Sequence, residues 1–452
     1  MAIIVTGPGR RTIHEGTNVG DVIYGTENTE TLAGLGGADY FYAMGGADLI
    51  RGDEPGAQNF YDTVDFVYSN AAVQVDLNRT TQTGGYAEGV DLVSIENVSG
   101  SRFNDTITGN ADNNRLMGGR GLDTLNGGGG NDILYGGFDF AADVIDGGAG
   151  TDRVEYTNAE RGMTVQLDQT LKIGTQTFRQ DGFADLNGGP VNGTFSNGTP
   201  YTIMVPTVRE DTLRNIEDVI GSRHADTITG NEKANRIDGG PGADTIDGKG
   251  GFDIVSYRMF NSNPGNIDID LQRATQIGGN AQGDRLISIE GIEAGSGNDN
   301  LRGNAGHNIL DGGAGHDVIE GRGGNDTIYS GMGADTLDGG AGFDTFVYTS
   351  VVDSGNTMQW VIDGNVTRIE NRLWGHDLIE NFETGIDKID LSQIDANAGL
   401  AGNQAFVFTT RFTGRSGQLI YNDGQLRGDT NGDRIADLTI NVDGLSRSDV
   451  IL

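Results

Sequence analysis

The chain has 452 residues, 65 acidic against 30 basic, and its formal charge of −35 repels nucleic acid and anionic membrane surfaces. Cysteine is absent, which excludes disulfides and thiolate metal sites, and no apolar run approaches the roughly 18 residues of a membrane-spanning helix. Glycine supplies 76 residues, more than twice its usual share of about 7%. A chain this charged could be disordered, but its glycines and acids recur at a fixed interval.

The interval is nine residues. In a first block, 1–61, Asp21, Glu30, Asp39 and Asp48 fall nine apart, and each is followed two residues later by an apolar side chain, Ile23, Leu32, Phe41 and Ile50. The turns around Asp21 and Glu30 are poor in glycine and read as a cap that closes the end of a stack. A connector, 62–104, follows with the period-two alternation of strands, as in Val73-Gln74-Val75-Asp76-Leu77. A second block, 105–152, carries Asp105, Asn114, Asp123 and Asp132, then a turn two residues too long around Asp143, before Asp152. A second connector, 153–225, contains an insertion, 169–210, with Phe178, Phe183, Phe195, Tyr201 and Met204-Val205-Pro206; it reads as a hairpin packed on its neighbours or as a loop that contacts a partner or glycan. The third block, 226–253, has Asp226, Asn235, Asp244 and Asp253, and a third connector occupies 254–294. The fourth block, 295–348, is the most regular, with Asp299, Asn308, Asp317, Asp326, Asp335 and Asp344. Beyond it, 349–452 reads as a small β domain holding both tryptophans, Trp360 and Trp374.

The full repeat, as in Gly312-Gly313-Ala314-Gly315-His316-Asp317-Val318-Ile319, is Gly-Gly-x-Gly-x-Asp-x-apolar-x, the nonapeptide of a calcium-binding parallel β-helix. Glycine lets the six-residue turn curl and bare its carbonyls. Ca²⁺ wants six to eight oxygens in a forgiving geometry, more than one turn supplies, so each ion belongs between a carboxylate of one turn and backbone oxygens of its neighbour. The remaining three residues form a short strand with its apolar side chain in a thin core. The expected fold is all-β, a calcium-binding parallel β-roll with β connectors and a C-terminal β cap, held more by metal than by apolar burial. The expected calcium ligands are Asp39, Asp48, Asp123, Asp132, Asp152, Asp226, Asp244, Asp253, Asp299, Asp317, Asp326, Asp335 and Asp344. Asn114, Asn235 and Asn308 bring an amide oxygen without charge and are weaker positions.

These repeats resemble those of the RTX (repeats-in-toxin) secreted proteins. The segments Gly375-His376-Asp377-Leu378-Ile379-Glu380-Asn381-Phe382 and Gly385-Ile386-Asp387-Lys388-Ile389-Asp390-Leu391-Ser392 resemble the serralysin-type C-terminal domain. The resemblance implies turn aspartates on Ca²⁺, folding outside the cell, and export through type I secretion machinery. Met1-Ala2-Ile3-Ile4-Val5 lacks the apolar core of a cleavable signal peptide, and the ending Ser448-Asp449-Val450-Ile451-Leu452 resembles exported serralysin-type proteins, which places the signal there.

Enzyme chemistry has little to stand on. The five histidines, His14, His224, His307, His316 and His376, form no His-Glu-x-x-His, and no Gly-x-Ser-x-Gly elbow occurs. Asp429 to Asp437 suggests an EF-hand loop but lacks the glutamate at position twelve, so a fastening turn is the better reading. The expected function is a secreted structural, surface-layer, matrix or adhesion component that folds on extracellular calcium. Self-assembly and cell-surface glycan or polysaccharide are its candidate partners. The alternative is a secreted polysaccharide-acting enzyme with a groove on the β-helix, its carboxylates hidden among the metal ligands.

Overall fold

The computed structural model describes residues 3–5, 13–53, 61–137, 141, 143–159, the strands between 163 and 203, 211–260, 264–354, the strands between 358 and 371, 376–397 and 399–452. The chain forms two compact units, 1–231 and 232–452. Strands dominate both, and the helical pieces among the described residues are 3₁₀ turns of three or four residues.

Each unit is a parallel β-roll. Successive nonapeptides alternate between two faces, so a strand pairs with the one 18 residues on: Ile292 stands against Leu310, Leu310 against Ile328, and Ile328 against Phe346. The intervening nonapeptides build the other face, Leu301 against Ile319 and Ile319 against Leu337. In the first unit one face stacks Ile23, Phe41, Val64, Val98, Leu116, Leu134 and Val154. All are buried, as are Ile107, Leu125 and Ile145 on a facing row. The core is one side chain wide per turn because the strand is three residues long and only its middle one points inward.

Connectors continue the stack. Thr63–Asp65 pairs in parallel with both Tyr40–Tyr42 and Asn97–Ser99. The first and third connectors share one internal clamp. Buried Gln82 accepts the Asp76 N–H (2.7 Å) and donates to Arg79 O (2.8 Å), while buried Gln276 accepts the Asp270 N–H (2.9 Å) and donates to Asp270 O (3.1 Å). The glycines that follow, Gly84 (φ 81°) and Gly278 (φ 82°), hold the left-handed turn that starts the return. In the middle connector the insertion forms antiparallel pairs instead: Met163–Leu167 with Gly182–Leu186, Thr170–Ile173 with Gln176–Arg179, and Val191–Thr194 with Pro200–Ile203. Phe195 and Met204-Val205-Pro206 lie outside the described residues.

In the second unit the last roll runs straight into the C-terminal region. Thr345–Val347 pairs with Lys388–Asp390, which pairs with Val450–Ile451, and Thr336–Asp338 pairs with Asp377–Glu380, which pairs with Leu438–Val442. An antiparallel meander, Gln418–Asn422 with Gln425–Asp429 and then Leu438–Val442, closes that face. Met358–Asp363 and Val366–Asn371 form a separate hairpin holding Trp360; Trp374 lies outside the described residues.

Candidate metal centres: rows of half-satisfied carboxylates

The turn aspartates are buried and stand in rows, one rung per roll turn. Their carboxylates are used asymmetrically. Oδ1 of each accepts the backbone N–H of the rung before it. In the second unit the Asp299 N–H donates to Asp317 (2.8 Å), Asp317 to Asp335 (2.8 Å), and Asp335 to Asp377 (2.9 Å). On the opposite edge Asn308 donates to Asp326 (2.8 Å), Asp326 to Asp344 (2.8 Å), and Asp344 to Asp387 (3.1 Å). The first unit repeats the scheme from Asp21 to Asp39 to Asp62 (2.7 Å each) and from Asp105 to Asp123 (2.7 Å) to Asp143 (2.8 Å).

The second oxygen is left over. Oδ2 of Asp39, Asp48, Asp62, Asp132, Asp253, Asp299, Asp317, Asp326, Asp335, Asp344 and Asp377 is buried and accepts no hydrogen bond. A buried carboxylate oxygen without a partner is costly, and here the cost is repeated rung after rung.

The glycine five residues upstream shows what these oxygens face. A Cβ built on Gly312 would lie 2.5 Å from Asp317 Oδ2 and 2.7 Å from the carbonyl oxygen of Ser330, one roll turn on. Gly321 has the same relation to Asp326 and Gly339 O, Gly118 to Asp123 and Gly136 O, Gly127 to Asp132 and Gly147 O, and Gly248 to Asp253 and Ser288 O. At these five rungs glycine gives the room, and the room it leaves is a cradle where a carboxylate oxygen and a carbonyl oxygen of neighbouring turns converge. Such a mixed all-oxygen donor set suits a hard cation. Among the described residues no three His, Asp or Glu side chains converge on one point, so any cage must draw on backbone carbonyls.

Electrostatics agree. Burial pushes the carboxyls of Asp39 and Asp132 up to about 6, Asp48, Asp253 and Asp326 to about 7, and Asp62 and Asp317 to about 8. The N–H each accepts opposes the rise, and neighbouring carboxylates add to it. Asp335 and Asp377 are both raised, by burial first, and the Asp377 charge further discourages ionisation of Asp335. Without a cation, burial makes each ionised carboxylate of the rows costly.

Of the thirteen expected ligands, twelve stand as buried rungs of these rows. Asp226 differs: its Oδ2 accepts the Ser222 N–H (2.6 Å) and its Oδ1 the Ser222 hydroxyl (3.0 Å), a local cap that occupies both oxygens. Sequence reasoning missed Asp62, a connector rung with the same free oxygen as the repeats, and Asp377, a connector rung whose carboxyl faces the Tyr348 and Ser330 hydroxyls. Asp62-Thr63-Val64 and Asp377-Leu378-Ile379 do preserve Asp-x-apolar, which was the available signal. Other connector rungs are closed, because the Tyr257 hydroxyl donates to Asp284 Oδ2 (3.0 Å) and the Tyr156 hydroxyl to Asp211 Oδ2 (3.3 Å).

The asparagines have a task of their own. Asn308 Oδ1 accepts the Asn304 N–H (2.8 Å) while its Nδ2 donates to Glu290 O (2.9 Å); Asn114 likewise accepts from Asn110 (2.8 Å) and donates to Glu96 O (2.8 Å). Each fastens the second nonapeptide after a connector to the connector's own carbonyl, which a carboxylate could not do. In the C-terminal region Asp429 accepts the N–H groups of Gly432 (2.6 Å) and Arg434 (3.0 Å), and Asp437 that of Thr430 (2.8 Å), so this loop uses its carboxylates to tie a turn.

A comparison with family models matches the RTX calcium-binding nonapeptide repeat, a model of four copies, at residues 24–54, 94–125, 108–140, 139–156, 220–255, 292–319 and 311–346. A search of curated proteins returns no match. The matched segments are those that carry most of the carboxylate rows and their glycine cradles, so the repeating segments of this chain are RTX calcium-binding nonapeptide repeats, and their cation is Ca²⁺.

Proposed function

We propose that the protein is a secreted component of a cell surface or extracellular matrix whose fold is switched on by calcium. The observation that carries this reading is the repetition of buried Oδ2 atoms that accept no hydrogen bond, those of Asp39, Asp62, Asp132, Asp253, Asp317 and Asp326 beside a carbonyl of a neighbouring turn. The ligand set comprises the Asp residues of the rows, from Asp39 and Asp48 through Asp344, with Asp62 and Asp377 joining it and Asp226 contributing least. When bound, Ca²⁺ supplies charge neutralisation and a bridge between turns. The chain supplies carboxylates already pinned through Oδ1 and glycine-bared carbonyls.

Where free calcium is scarce, mutual repulsion of the carboxylates keeps the chain loose enough for a type I export channel. At millimolar calcium, cages that exist only in the folded state stabilise it by mass action. The C-terminal region acts as a serralysin-type cap carrying the export signal, and the blocks between connectors act as successive calcium rolls. Adhesion to a glycan or self-assembly into a layer is the task that this scaffold serves.

The test is a calcium titration followed by far-UV circular dichroism, tryptophan fluorescence and light scattering. Cooperative gain of β signal is expected, with growth in scattering if the protein assembles. Replacing Asp326 and Asp335 together by Asn should move the ordering of the second unit to higher calcium; a double variant that orders at the wild-type concentration would refute the ligand assignment.

A further inference from the structure

The residue just before each turn Asp or Asn is free to vary, and in the second unit three such residues form a column. His307, Asn325 and Phe343 are 18 apart, and the strands that follow them pair in register, Ile309 with Thr327 and Thr327 with Thr345. With neighbouring strands about 4.8 Å apart, His307 and Phe343 leave the roll about 10 Å from each other with Asn325 between them. Asn325 Oδ1 accepts the Phe343 N–H (3.1 Å), which fixes the side chain and leaves its amide nitrogen as the donor it can offer a ligand. His307 is braced from behind by Phe252, their ring centroids 5.3 Å apart and inclined at 52°. Phe343 is 64% exposed, a large ring kept in water. His307, Asn325, Thr327, Phe343 and Thr345 line a groove of about 520 Å³.

We propose that this groove binds a neutral hexose unit of a polysaccharide. A pyranose presents two C–H faces and a rim of hydroxyls. The groove presents a ring at each end and an amide and two threonine hydroxyls along its floor. A sugar held between two rings needs about 7–8 Å, two contacts of about 3.8 Å each, so the rings of His307 and Phe343 must lean about 2 Å toward each other over Asn325 to enclose it. The volume lies within the usual range for small-molecule sites, roughly 300–1,000 Å³. Charge selects the class: the groove's lining holds no lysine or arginine to pair with a uronic-acid or sulfated sugar. A purely apolar partner would leave the amide and hydroxyls unpaired. This assignment rests on the calcium-ordered roll and gives the adhesion reading its ligand and its place.

The experiment uses full-length, calcium-loaded protein with neutral gluco-, manno- and galacto-oligosaccharides as probes and a uronic-acid oligosaccharide as control, read by saturation-transfer NMR and affinity electrophoresis. At least one neutral series should bind and the acidic one should not. Phe343→Ala should weaken binding at least about tenfold, about 1.4 kcal/mol. Asn325→Asp, which keeps the Oδ1 acceptor but removes the amide donor, should also weaken it. Phe103→Ala, at an exposed ring in the other unit, should leave binding unchanged. Circular dichroism and calcium stoichiometry on the same samples separate loss of the groove from loss of the fold. The assignment is overturned if no neutral saccharide binds the ordered protein, if binding survives both groove variants, or if Phe343→Ala alters only self-association. Failure of calcium to order the chain would overturn the roll reading itself.

Discussion

At the scale of the residue, a turn aspartate such as Asp317 is a bridge with one foot placed. Its Oδ1 is fixed on the preceding rung's N–H, and its Oδ2 is aimed at a space that exists only because Gly312, five positions upstream, has no side chain. Filling that space is the sharpest test of the cradle. Gly312 lacks a positive φ, so Gly312→Ala adds no backbone strain but drives a methyl between Asp317 Oδ2 and Ser330 O. The calcium midpoint of the second unit should rise at least about tenfold. Gly323→Ala, whose Cβ would meet nothing closer than Ala341 O at 3.8 Å, is the matched control and should shift it little. Titration offers a second test. Asp62 and Asp317 are raised from 3.8 to about 8 in the folded, metal-free chain, so that chain holds more protons than the unfolded one between those values. Its stability is greatest below pH 4 on this account and is lost as pH rises toward 8. In chelator, β structure measured by circular dichroism should therefore be greater at pH 5 than at pH 8, and calcium should restore it at pH 8. A metal-free chain more ordered at pH 8 would contradict the electrostatic account.

At the scale of the element, the nine-residue turn was legible and the connector was only half so. The repeat announces itself because Asp, glycine and apolar residue each have one structural task at one offset, and the tasks cannot be exchanged. Twelve of the expected Asp positions join the rows for that reason. The connector rungs escaped because the offset between paired rungs, 18 within the repeats, becomes 23 from Asp39 to Asp62 and 42 from Asp335 to Asp377. The intervening chain makes a detour and returns to the same edge, and period counting cannot see a closed detour. Asp226 passed for a repeat ligand because Ser222, which caps it, and His224 replace two glycines of the repeat but leave the Asp-x-apolar spacing intact. The asparagines look like weakened ligands in the sequence, whereas their amide nitrogens hold connector carbonyls. Asn308→Asp should accordingly destabilise the calcium-loaded second unit, by roughly 1–3 kcal/mol in denaturant titration, because it sets a carboxylate oxygen against Glu290 O. If instead the variant binds an additional ion and gains stability, the fastening role is wrong.

At the scale of the whole molecule, 65 acidic residues are tolerated because so many sit in rows that a divalent cation can neutralise two charges at a time. Metal-free chain at neutral pH should expand toward the radius of gyration of an unfolded chain this long, about 80 Å, and contract on calcium addition; small-angle scattering measures both. The rows have a further property. The rungs traced above lend Oδ1 to the turn before them and not to the turn after, so the fastening works like a zip with a single slider direction. A chain cut after Tyr348 would lose Asp377 and Asp387 and strand the N–H groups of Asp335 and Asp344, whereas loss of turns at the opposite end of a row merely releases carboxylates, which water accepts readily. Damage therefore travels toward the N-terminus. A segment that meets calcium with its C-terminal turns first can close each successive tooth on one already in place, while a segment presented the other way must wait for teeth that have not arrived.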